Sequence, residues 1–355
     1  MTKRPIACVI DDEESTSGED SIRERFDVLQ LINARRRRDK RPFLPRAFMH
    51  LIAYMAAEPL MMEHGSMVMC VAVSPDGAHI VSGSWDGAVH VWKADTGKRR
   101  MVLLGHADTV KTVAISPDGS EVVSGSDDKT IRTWSMKTGV RLKKLEGHTG
   151  SVKIVAVSPD GAKIVSGSGD DTMKVWNAKT GACERTIEGQ QWWIGAIAIS
   201  PDGAKIVTGD YDNIVRIWNY QTGACERILK GHDSVIYAVA VSPDGKTIVS
   251  GSMDNTMRIW NTNTGACEKT LLGHSNWVNA VALSPDGAMI ISGSCDETVR
   301  VWNVKTGACE KIMRGHHVSV DGVAVLPGGK MIVSASSDER MRMWDAATGL
   351  PRKAW

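Results

Sequence analysis

Seven tryptophans stand at a fixed interval of 42 residues: Trp92, Trp134, Trp176, Trp218, Trp260, Trp302 and Trp344. The interval carries more than the indole. Six residues before each lies an aspartate: Asp86, Asp128, Asp170, Asp212, Asp254, Asp296 and Asp338. Ten before stands a hydroxyl residue: Ser82, Ser124, Ser166, Thr208, Ser250, Ser292 and Ser334. Twenty-eight before stands His64, His106, His148, Gln190, His232, His274 or His316. A unit of this length buries its faces only against copies of itself, so residues 62–355 must fold as an array of seven.

Each unit reads as four short strands. In residues 106–148, Val110, Val113 and Ile115 lie in a β-rich run that ends at Ser116-Pro117-Asp118-Gly119. Proline second and glycine fourth suit a type I turn. Val122–Ser126, Thr130–Trp134 and Arg141–Leu145 follow, separated by turns at Asp127-Asp128-Lys129 and Lys137-Thr138-Gly139. Strands broken by a turn about every ten residues describe an antiparallel all-β unit. With Gly-His at its start and Trp at its end, the unit resembles the WD40 repeat family of β-propellers. That family usually closes the repeat with Trp-Asp, whereas this chain mostly has Trp-Asn (Asn177, Asn219, Asn261, Asn303). The resemblance implies a seven-bladed propeller over 58–355. The last blade needs an outer strand, from Glu58 to Met62 or from Leu350 to Trp355; the family's usual closure favours the first.

Histidine, serine and aspartate recurring together suggest a hydrolase triad, but an enzyme needs one such site rather than seven. No Gly-x-Ser-x-Gly elbow surrounds these serines. Tryptophan only donates, serine donates and accepts, and aspartate only accepts, so Trp–Ser–His–Asp forms a chain that satisfies every member. In the resembled family these four residues are a structural tetrad. The expected protein is not an enzyme and holds no catalytic site, metal or cofactor.

Lys+Arg 43 against Asp+Glu 41 leaves a net charge of +2, and no run reaches the ~18 apolar residues of a membrane helix. After subtracting the 11 basic and 10 acidic residues of 1–60, the repeats carry 32 basic and 31 acidic residues, which argues against nucleic acid. Cys183, Cys225, Cys267 and Cys309 are one repeat position copied four times, too far apart for disulfides, so reduced thiols are expected. The start shows no secretory signal, and the cytosol or nucleus is the expected location.

Partner recognition is read from the tryptophans and other residues outside the repeat pattern. Trp192, Trp193 and Trp277 fall in loops between the fourth strand of one unit and the first of the next. Trp85 and Tyr211 precede the tetrad aspartate, in the turn between the second and third strands. In an up-and-down blade these loops emerge on one side, and period-two alternation points Tyr237 the same way. Reading around the ring, Lys111 and Lys153 come from blades 2 and 3, Met253 joins the aromatics of blades 4–6, and Asp321 comes from blade 7. The resemblance implies that these loop positions contact partners. The expectation is a non-catalytic scaffold or adaptor that binds a protein or peptide with an apolar anchor over blades 4–6 and acidic residues near the lysines.

The first 57 residues are different material. Residues 1–20 are acidic and expected to be disordered; 21–57 read as a basic helical extension, with Ile22, Phe26, Leu29 and Ile32 in one stripe before the run Arg35–Arg41. That run could mark nuclear import, a partner contact or a solvated helix end. A second partner at these helices would fit a G-protein-β-like signalling subunit or a ubiquitin-ligase substrate adaptor, kept as alternatives. An enzyme with a site at the channel mouth is the remote one, with His79, His90 and His317 as spare histidines.

Overall fold

The computed structural model describes residues 60–188 and 192–352. The acidic segment 1–20, the helical extension 21–57 with its basic run, Cys8, Gln190 and Trp355 lie outside the described residues. The described chain forms 28 strands in seven four-stranded antiparallel sheets. Blades 1 to 6 are continuous segments: 68–103, 110–145, 152–187, 194–230, 236–271 and 278–314. Blade 7 takes three strands from 320–345 and its fourth from Met61–Glu63. The first strand of each blade contacts those of its two neighbours, and the first strand of blade 1 meets that of blade 7, so the ring is closed. Closure removes the inner edges that a lone sheet would expose.

The joints between blades are the core. Each is an apolar cluster in which the tryptophan of one blade packs on the valines and isoleucines of the preceding one, as Trp134 does on Val81, Val89 and Val91. Close approach depends on a glycine in the second strand. A Cβ on Gly125 would lie 2.7 Å from Val152 Cγ1. Blade 7 has Ala335 there, and its cross-strand partner is Gly322, where the other blades carry Cys70, Thr112, Ile154, Ala196, Ala238 or Ala280 opposite the glycine. The small residue has moved across the ladder rather than been lost. The turn at Leu326–Gly329 keeps the repeat geometry, with Gly329 donating to the Leu326 carbonyl at 2.8 Å and a φ of +69°.

The outer strand of blade 7 is shared by both candidate segments. Met61, Met62 and Glu63 pair with Arg342, Met341 and Arg340. Pro351 bridges to Trp344, Arg352 N–H donates to the Met343 carbonyl at 2.8 Å, and Leu60 N–H donates to the Arg352 carbonyl at 2.7 Å. The two ends of the propeller thus lie end to end along one strand.

Candidate partner-binding face

The tetrad is built in blades 2, 3, 5, 6 and 7. In blade 2, Trp134 Nε1 donates to Ser124 Oγ at 2.9 Å, His106 Nε2 lies 2.8 Å from that hydroxyl, and His106 Nδ1 lies 2.8 Å from Asp128 Oδ2. The aspartate can only accept, so Nδ1 carries the proton and the serine donates to Nε2. Burial pushes Asp128 up, but the bonds from His106 and Thr130 outweigh it and hold the carboxyl well below the usual range. All these groups face each other inside the blade, where they fix packing.

The sequence leads one to expect a departure in blade 4, with Gln190 at the histidine position, and blade 1 departs as well. In blade 1, His64 Nε2 meets Ser82 Oγ at 2.8 Å, but His64 Nδ1 has no hydrogen-bond partner. His90 stacks on the His64 ring at 3.7 Å between centroids, and Asp86 instead accepts from Ser84 and from Ala88 N–H. In blade 4, Arg216 donates to Asp212 and to Asp210, an aspartate where the other blades have serine. His90 is thus turned into blade 1 rather than the channel, and His317 is exposed.

The mouth of the channel is set by a backbone irregularity. In every blade the pairing of the first two strands slips by one residue, and the skipped residues are Met69, Lys111, Lys153, Gly195, Tyr237, Asn279 and Asp321. A bulge leaves its extra residue unpaired and re-aims the side chain. Tyr237 therefore reaches the mouth through a bulge, not through simple alternation. These residues line a cavity of 250 Å³ together with the following residues of the same strands. Beside each bulge, the turn residue before the tetrad aspartate donates its N–H to the preceding loop, as Tyr211 does to Trp193 at 3.1 Å and Met253 to Val235 at 2.8 Å. Both loop classes therefore open on the mouth.

Around it runs a continuous row of side chains. Trp193 and Tyr211 have centroids 5.5 Å apart, Tyr211 and Tyr237 5.8 Å, and Tyr237 and Trp277 6.2 Å. The tryptophans remain exposed, 46% for Trp193 and 39% for Trp277, while both tyrosines and Met253 are half-buried. Burial pushes the Tyr211 hydroxyl up to about 12. The row continues to the lysines. Lys153 Nζ lies 5.5 Å from the Trp193 ring and 3.0 Å from Asp127; Lys111 Nζ lies 5.3 Å from the Trp85 ring and 3.4 Å from the same carboxylate. Burial pushes Asp127 up, but bonds from Lys153 and Ser151 and the charges of both lysines hold it below the usual carboxylate range. Two ammoniums share one carboxylate, which leaves a local positive excess. Trp85 and Trp192 are exposed at 54% and 57%.

Asp321 stands at the mouth with the other bulge residues, and its carboxylate is held by neighbours. Its carboxylate accepts from Ser319 at 2.7 Å, Ser337 at 2.6 Å and Asn279 Nδ2 at 3.1 Å, and Cys295 Sγ lies 3.3 Å from Ser319 Oγ. Burial raises its pKa against those bonds. It braces blades 6 and 7, and Asn279 and Ser319 present the polar edge there. Sequence reasoning missed Asp127 and Gly195. The glycine leaves room for a neighbour: an added Cβ would stand 3.1 Å from the Tyr211 ring. Both occupy the same repeat positions as the residues that were singled out, so reading those two positions through all seven units would have found them.

A family model for the WD domain, G-beta repeat, matches residues 58–93, 97–135, 139–177, 181–219, 223–261, 265–303 and 307–345. The chain belongs to the WD40 repeat family and forms its seven-bladed propeller. Propellers of this family typically serve as non-catalytic scaffolds that bind protein partners. No curated protein matches the chain. The six described cysteines are free thiols, and among the described residues no group of His, Cys, Asp and Glu could hold a metal ion.

Proposed function

We propose that this protein is a scaffold or adaptor that holds a protein or peptide partner against the loop face around the channel mouth. The carrying observation is the unbroken row Trp193–Tyr211–Tyr237–Trp277 with Lys153 against its end. Exposed aromatics beside charged side chains are the residues that dominate binding energy in protein interfaces. The row supplies apolar anchorage over blades 4–6, and the lysines that share Asp127 supply attraction for acidic residues of the partner. The tetrads take no part beyond rigidity, which keeps the anchors in place before the partner arrives and lowers the entropic cost of binding.

The test compares wild-type bait with Trp193→Ala/Tyr211→Ala/Trp277→Ala in a quantitative pull-down, with circular dichroism establishing that both fold. A defined set of proteins lost by about tenfold or more from the variant supports the reading, a step worth ~1.4 kcal/mol. Equal recovery of every protein by both baits overturns it.

A further inference from the structure

The face opposite the loops carries a second cavity. It lies among the Ser-Pro-Asp-Gly turns, where each blade meets the next through a slot closed by the second residue after the tryptophan. That position reads Ala94, Met136, Ala178, Tyr220, Thr262, Val304 and Ala346. Met136 and Thr262 are buried, and Val304 packs on the cluster of its joint. Where the position is alanine, a methionine packs on the joint's cluster from the other wall: Met289 with Ala346, and Met331 with Ala94, where a cavity of 490 Å³ bounded by Leu326 and Arg352 nevertheless remains. Between blades 2 and 3 neither happens. Ala178 is small and half-buried, and the facing wall carries Glu121, which lies 3.8 Å from Lys143. A cavity of 510 Å³ remains, floored by Val123, Val157, Ile164 and Ala178.

The molecule shows what fits such a slot. Shifted by 42 residues, the same joint between blades 3 and 4 holds the Tyr220 ring. The ring packs on a cluster that includes Val165, Ile199 and Ile206, the counterparts of Val123, Val157 and Ile164. The Tyr220 hydroxyl is buried there beside Ser158.

We propose that the slot between blades 2 and 3 is a docking site for an aromatic side chain, tyrosine or phenylalanine, of a partner protein. The repeat has built a ring-shaped recess in two adjacent joints and supplied the ring itself in only one. Asp118, Glu121 and Asp160 stand at the rim against Lys143 and Lys179, so a basic residue beside the aromatic one matches its charge. This site shares no residue with the loop face and does not depend on the function proposed for it.

The probe is N-acetyl-tyrosine amide, titrated into the full chain and followed by amide NMR. The expected result is saturable shifts centred on Val157, Ile164 and Ala178 with a midpoint of about 1 mM, the scale of a small fragment. Ala178→Tyr, which gives blade 3 the ring that blade 4 already has, should weaken the midpoint about tenfold or more with no loss of melting temperature. If that variant fails to fold, Glu121→Met closes the slot from the other wall, as Met289 does between blades 6 and 7, and carries the same expectation. No saturable shift in the wild type, or an unchanged midpoint in the slot-filled variant, overturns the proposal. So does a slot whose amides shift on dilution alone, because a second copy of the chain is then its occupant.

Discussion

At the repeat position that elsewhere holds Arg132, Lys174, Arg216, Arg258, Arg300 or Arg342, blade 1 holds His90. The change rewires the tetrad around it. Two imidazoles lie 3.7 Å apart between centroids, tilted by 34°, beside Trp92, each with an Nδ1 that finds no partner. Burial lowers the His64 pKa to about 3, with the neighbouring His90 adding to the shift; burial and then Arg99 lower His90 to about 4, against the pull of Asp86. Both folded values lie below the unfolded value near 6.5, so the unfolded chain takes up these protons first as pH falls. The stability they contribute is complete above pH 6.5 and drains away below it. From His64 alone the loss should reach roughly 3 kcal/mol by pH 4.5, two pH units below the unfolded value at 1.36 kcal/mol for each. His90→Arg restores the common residue of the repeat and frees His64 to turn to Asp86. Denaturant melts at pH 7 and pH 4.5 should show a smaller acid loss in His90→Arg than in the wild type; equal losses would show that the stacked pair is not the sensor. The sequence showed His90 only as a spare histidine, because its partner is brought next to it by the strand ladder rather than by spacing along the chain.

At the scale of elements, the turns, the strands and the tetrad ladder were legible because each position was written seven times. The run 121–126, for instance, is a buried strand whose pattern and closing turn recur in every blade. What was hidden lay where a single copy departs. The pairing of Gly322 with Ala335 needed the register, since neither residue signals the other in sequence. The outer strand of blade 7 needed both ends of the chain. Either segment alone covers only part of the ladder: Met61–Glu63 pairs with Arg340–Arg342, and Pro351 and Arg352 continue along Trp344 and Met343. Arg352 also reaches blade 1, donating to the carbonyls of Ala94 at 3.0 Å and Asp95 at 2.8 Å. It therefore ties the closing strand to the blade across the joint. Arg352→Ala should cost about 1 to 3 kcal/mol, the scale of charged hydrogen bonds. Hydrogen exchange should quicken at Arg340–Asp345 and leave blade 4 unchanged. Met62→Ala removes a buried side chain from the same closure and should cost about 2 to 5 kcal/mol. Uniform acceleration across all blades would mean instead that the ring opens as a whole.

For the whole molecule, near-neutrality and closure decide how a partner is met. A chain with a net charge of +2 has no field to steer partners from a distance, so electrostatic guidance on this face has to come from local groups. Lys111 and Lys153 are those groups, and Asp127 between them cancels half their charge while holding both against tryptophan rings. On the function proposed above, anchorage and attraction fall on different arcs of one rim. The division makes a kinetic prediction for any acidic partner recovered with the wild-type bait. Binding measured at about 50 and 200 mM salt should weaken at the higher salt, chiefly through the association rate, since rim charges act on encounter and are screened. Lys111→Ala/Lys153→Ala should lower the association rate at low salt and flatten the salt dependence. Trp193→Ala/Trp277→Ala should keep the salt dependence and raise the dissociation rate, because packed anchors set how long a complex lasts. Asp127→Asn should steepen the dependence by releasing the second charge. If the lysine and tryptophan variants change the same rate constant by the same factor, the rim acts as a single contact and the division of labour between its arcs is wrong.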